Sequence, residues 1–113
     1  QDRLNIKEEK ILFVIQAISF NKLFEIEYLL NQNTYKEKDI LIFLILAANG
    51  SKKEIIKTII NNKNILSYFS HNDMVTSLKI KLNKEDRLTR VNFLNNLILS
   101  INENKIKGKL NNF

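Results

Sequence analysis

The sequence predicts an all-α fold of stacked antiparallel helix hairpins with a longer C-terminal helix, and three observations carry that prediction. Apolar residues recur at spacings of three and four along almost the whole chain, which is the period of an amphipathic helix. There is no proline, and the only glycines are Gly50 and Gly108, so the punctuation that an all-β fold needs is missing. Finally, a shift of thirty residues lays ILFVIQAISFNKLFEIEYLLNQ (11–32) over LIFLILAANGSKKEIIKTIINN (41–62). Each copy reads as a largely apolar helix, a tight corner and an amphipathic second helix. With 113 residues the chain suits one domain, 1–113. Within it we expect repeat-like units at about 5–32 and 36–62, a C-terminal helical part at 64–104, and a frayed tail over 105–113.

Taken in order, helix 5–19 carries the stripe Ile11, Val14, Ile15 and Ile18, and helix 22–31 carries Leu23, Ile26, Leu29 and Leu30, with Asn21 as its cap. Helix 36–48 contains the longest apolar run, Ile40 to Ala48, about half of what crosses a bilayer. Neither a membrane span nor a signal peptide is expected. Asn49-Gly50 is the left-handed corner that stops it, and Ser51 with Glu54 three residues on forms a capping box for helix 51–62, whose stripe is Ile55, Ile56, Ile59 and Ile60. A short helix at 64–70 follows. Asn72 with Asp73 starts helix 72–82, and Asn83 with Glu85 and Asp86 starts helix 84–104, which buries Leu88, Val91, Leu94, Leu97, Ile98 and Ile101. Phe13, Phe43 and Phe93 fall within apolar stripes and are expected in the core, whereas Tyr35 and Tyr68 lie near predicted connections.

The two copies pair Phe13 with Phe43, Ala17 with Ala47, Lys22 with Lys52 and Ile26 with Ile56. The segment LILAANGSKKEIIKTII resembles the core of an ankyrin repeat, with Leu44, Leu46, Ala47, Ala48, Glu54, Ile55, Ile56, Lys57, Ile59 and Ile60 in the family's places. Val14, Ala17, Ile26, Leu29 and Leu30 take them in the earlier copy. Two departures stand out: Ile42-Phe43-Leu44-Ile45 replaces the family's Thr-Pro-Leu-His, and the corner glycine falls one place early at Gly50. The copies are also shorter than the usual repeat of about 33 residues. The resemblance covers about half the chain, and a different helical array or a plain bundle fits the remaining pattern. What the resemblance implies is a protein-binding surface made of inter-repeat loops and a concave helix face, on which Tyr35 and Tyr68, near one period apart, are the candidate protein contacts.

Catalytic chemistry finds little to work with. Without cysteine, disulfides, thiol catalysis and cysteine metal sites are excluded. His71 is the only histidine, and within Ser70-His71-Asn72-Asp73 it reads as part of a helix start. The pairs Glu8-Glu9 and Glu25/Glu27 read as solvated surface. Neither an enzyme nor a cofactor is expected.

Charge is more informative. The net charge is +6, and it belongs to the second half: residues 1–40 hold six Lys and Arg against seven Asp and Glu, 41–70 four against one, and 71–113 eight against four. Two clusters are candidates for binding an anion. Ser51, Lys52 and Lys53 stand at a helix start, where free N–H groups and the helix dipole favour negative charge. Lys79, Lys81, Lys84, Arg87 and Arg90 form the second, in which Lys84, Arg87 and Arg90 share one helical face by their spacing of three.

The reading is therefore a non-catalytic protein-interaction module with another protein as partner. Its rival is a basic helical module for anionic lipid headgroups, of the phosphoinositide type, or nucleic acid; an accessory domain of a larger enzyme is a third reading. Lack of cysteine fits a cytoplasmic setting. Crowding with Asn, Lys and Ile points to an AT-rich coding genome, which brings in delivery into a host cell as an expectation.

Overall fold

The structure is a computed structural model that describes the backbone of residues 2–111 and the side chains of 9–105. Among the described residues it contains seven helices and no strand: α1 Asp2–Ser19, α2 Leu23–Gln32, α3 Glu37–Asn49, α4 Lys53–Ile60, α5 Lys63–Leu66, α6 His71–Lys84 and α7 Leu88–Asn111. Helices α1 and α2 pack together, as do α3 and α4, and α6 and α7. The second pair lies against the first through α1 with α3 and α2 with α4, while the opposite side of α3 is covered by α7. Thus α3 is central, and this accounts for its sequence. Its Ile40, Leu41, Phe43, Leu44, Ala47 and Ala48 are all buried, and the two alanines let neighbouring backbones approach.

Both hairpin corners have the same geometry, thirty residues apart. Asn21 and Ser51 adopt left-handed φ values of 58° and 54°. The next residues, Lys22 and Lys52, have φ/ψ of −91°/77° and −92°/76°. The N–H of Lys22 donates to Ala17 O and that of Lys52 to Ala47 O, each at 2.9 Å. This is the Schellman closure, in which a left-handed residue just past the helix returns the chain and satisfies its last carbonyls. Asn21 and Ser51 are therefore helix stops rather than the expected caps, and α2 and α4 begin with no side-chain cap bond. Gly50, expected as the left-handed residue, has φ −91°. Its smallness serves a different purpose: a Cβ there would lie 2.9 Å from Lys52 Cε.

Further on, Ser70 rather than Asn72 caps α6, accepting from Asp73 N–H at 3.1 Å. Asn83 lies inside α6, which runs on to Lys84 because Glu85 is the first extended residue. Glu85 Oε1 instead accepts from Arg87 N–H at 3.2 Å just before α7. Helix α7 continues to Asn111, through residues expected to fray; the side chains of Lys107 and Lys109 lie outside the described residues. Its stripe buries Leu94, Leu97, Ile98 and Ile101, but Val91 is only half-buried and Leu88, at the start of the helix, is 74 % exposed. Side-chain amides tie α7 to the rest: Asn104 and Asn61 bond reciprocally, and Lys105 donates to Asn72 Oδ1.

The short α5 is held by a set of asparagines. Asn62, buried, accepts from Ile65 N–H at 3.0 Å and donates to Asn31 Oδ1 at 3.0 Å. Asn64 donates to Leu30 O at 2.8 Å and to Asn33 O at 3.1 Å, satisfying carbonyls at the end of α2. No described helix is long and apolar enough to cross a membrane.

Candidate functional site

Each cluster singled out from sequence is rearranged by the fold. At the second corner, the Lys52 ammonium donates to Ile18 O at 2.6 Å and Ser19 O at 3.2 Å. Those carbonyls are at the C-terminus of α1, where a cation meets the negative end of the helix dipole. Lys52 therefore caps a neighbouring helix, and its stem needs the space that Gly50 leaves. Ser51 is the left-handed corner residue, and Lys53 is exposed. The three line a crevice of about 320 Å³ shared with Leu23 and Ile55, in which the Lys52 charge is already engaged.

The tyrosines are also placed differently from the expectation. Tyr35 is 6 % exposed and packs edge-on against Phe43, with ring centroids 5.4 Å apart. Its hydroxyl accepts from Asn33 Nδ2 at 3.3 Å, and its N–H donates to the Tyr68 hydroxyl at 3.2 Å. Burial pushes the Tyr35 phenol above its usual 10.0. Tyr68 is half-buried beside it. Both residues fasten the 33–36 connection to the α5 turn; Tyr35 is buried there, and Tyr68 keeps part of its surface exposed. His71 opens α6, and its Nε2 donates to Ile60 O at 2.6 Å, capping the end of α4. Among the described residues no three acidic or histidine side chains converge on one point.

The basic stripe is divided by the α6–α7 elbow. Lys84 ends α6, Arg87 lies in the elbow and Arg90 is in the first turn of α7, so they do not share one helix face. Even so, Lys81, Lys84 and Arg90 meet around a groove of about 380 Å³ between the elbow and α3, lined also by Ile45, Leu46, Asn49, Glu85, Phe93 and Leu94. Lys79 and Arg87 are exposed outside it.

A surface not anticipated from sequence lies on α1 and α2. Phe13 is 52 %, Phe20 71 %, Phe24 90 % and Tyr28 63 % exposed. Phe13 and Phe20 are seven residues apart on α1 and its stop, and Phe24 and Tyr28 four apart on α2, so each pair lies on one helix face. Phe13, Phe20 and Tyr28 border a shallow cleft of about 290 Å³ floored by Ala17 and Leu29, with Lys22 and Glu25 at its rim. Phe13 was expected in the core as part of an apolar stripe; it is 52 % exposed, whereas Phe43, one period on, is fully buried and packs edge-on against Tyr35. Part of the signal was present in the sequence. Phe24 and Tyr28 fall off the stripe Ile26/Leu29/Leu30 that faces the core, whereas Phe13, next to Val14, reads with the stripe Ile11/Val14/Ile15/Ile18.

No family model, curated protein or solved structure matches this chain.

Proposed function

We propose that the protein is a non-catalytic interaction module that binds another protein through the aromatic face of α1 and α2, with α1–α2 and α3–α4 serving as ankyrin-like units that hold the face rigid. The observation that carries this is the exposure of Phe13, Phe20, Phe24 and Tyr28 together on one hairpin. Monomeric proteins rarely keep contiguous apolar patches larger than a few hundred Å² in water without a use for them. Aromatic rings suit that use, because each buries a large area on contact and has only two side-chain torsions to immobilise. The rings sit on helices anchored by fully buried Val14, Ile26 and Leu30, so little order has to be bought at binding.

The rival reading, a basic surface for anionic lipid headgroups or nucleic acid, has less support from the geometry. Lys52 is engaged by α1, and the remaining cations are divided by the elbow. Photo-crosslinking tests the interaction reading directly. With Phe24→benzoylphenylalanine we expect a discrete adduct with one polypeptide, lost when Phe13→Ser and Phe20→Ser are added. The same probe at Ile80, an exposed α6 position, is expected to give no such adduct. Adducts of equal yield from both positions would count against the aromatic face.

A further inference from the structure

We propose that the groove between α3 and the α6–α7 elbow is a second docking site, and that its occupant is an acidic peptide segment of a partner protein with one bulky apolar anchor. This surface is separate from the aromatic face and does not depend on it.

Charge complementarity selects the acidic part. Three cations, Lys81, Lys84 and Arg90, border the groove against one carboxylate, Glu85. That carboxylate is already engaged: Oε1 accepts from Arg87 N–H at 3.2 Å, and Oε2 lies 4.0 Å from the Arg90 guanidinium. Among the described residues neither Lys81 nor Lys84 makes an ion pair. Both stand in the last turn of α6, where they complement the helix dipole, and this leaves their ammonium groups available to an incoming carboxylate.

The floor selects the anchor. Ile45 and Phe93 are half-buried, and Leu46 is left 36 % exposed on α3. A volume of about 380 Å³ is at the small end of the range for ligand clefts, room for one leucine or phenylalanine side chain and its backbone. A free phosphate would leave this floor uncovered. Nucleic acid would favour rings open for stacking, and the only ring in the groove, Phe93, is half-buried. Carboxylates flanking an apolar residue satisfy both rim and floor.

Fluorescence anisotropy on the full chain tests this, with a fluorescein-labelled short peptide of aspartates and glutamates around one central phenylalanine. The expected result is saturable binding that weakens about tenfold with Lys81→Glu/Lys84→Glu at low salt, and again about tenfold when serine replaces the phenylalanine of the peptide. Lys53→Glu/Lys63→Glu, the same charge change elsewhere, should leave it within about twofold. The serine peptide arm needs no protein variant, so it judges the groove even where a charge reversal disturbs the elbow. Equal binding of the serine peptide, equal loss from both charge-reversed pairs, or absence of saturable binding would overturn the proposal. Tighter binding of a single-stranded RNA or a phosphatidylserine vesicle that depends on Lys81 and Lys84 would overturn it as well.

Discussion

Replacing Lys52 by methionine separates a helix cap from an anion site. Methionine keeps most of the stem that passes over Gly50 and deletes the ammonium that donates to Ile18 O and Ser19 O. A hydrogen bond from a charged donor contributes about 1.5–3 kcal/mol and a cation at a helix C-terminus about 0.3–1 kcal/mol. The 3.2 Å bond is exposed, and ordering a lysine side chain costs up to about 2 kcal/mol. A net loss of about 1.5 kcal/mol follows from these figures, which for a chain of this size is about 6 °C in Tm. Thermal unfolding followed by circular dichroism at helix wavelengths measures it. Lys53→Met, at an exposed position, should shift Tm by no more than about 2 °C, corresponding to about 0.5 kcal/mol. Equal shifts for the two variants, or a gain in stability from Lys52→Met as relief of like-charge repulsion would give, would refute the capping assignment.

Three further outcomes follow from the same geometry. Ser51→Gly should stabilise the fold by about 1 kcal/mol in urea unfolding, because Ser51 pays the left-handed penalty at φ 54° that glycine does not. Asn62→Ala removes the cap on Ile65 N–H and the bond to Asn31, and a loss of about 2 kcal/mol is expected in the same assay; a change under about 0.5 kcal/mol would mean that α5 is held by packing alone. Burial raises the Tyr35 phenol, so the neutral form is favoured in the folded state. Its contribution is fully present below the ordinary value of 10.0 and is lost as pH rises above it, and a Tyr35→Phe variant should show a smaller alkaline decline than the parent chain.

The helices were legible because their signal is local. The stripes from Ile11 to Ile101 have the 3.6-residue period, and the bounds of α2, α3 and α6 fall within about two residues of those expected. The equivalence of the two corners was legible too, in the pairing of Lys22 with Lys52. What lay beyond sequence was the direction of individual side chains. Nothing local announces that Lys52 reaches a helix more than thirty residues back, or that the 33–36 connection folds inward and buries Tyr35. The break at Glu85 has no proline or glycine to mark it and was expected at Asn83 instead, so Lys84, Arg87 and Arg90 were drawn on one helix when Lys84 ends α6, Arg87 lies in the elbow and Arg90 is on α7. Part of the aromatic face was readable, in Phe24 and Tyr28 off the core stripe of α2, but Phe13 was not, since nothing local separates it from its period-mate Phe43, which is buried against Tyr35.

The central claim, binding of a protein through the α1–α2 aromatics, is tested most directly by quantitative affinity enrichment. The full chain is compared with Phe20→Ser/Phe24→Ser at low and high salt. Burying one phenylalanine contributes about 1.5–3 kcal/mol, so the double variant should lose a specific partner by at least about tenfold, while salt changes its recovery little. Recovery that survives the two serines and vanishes with salt would contradict the account.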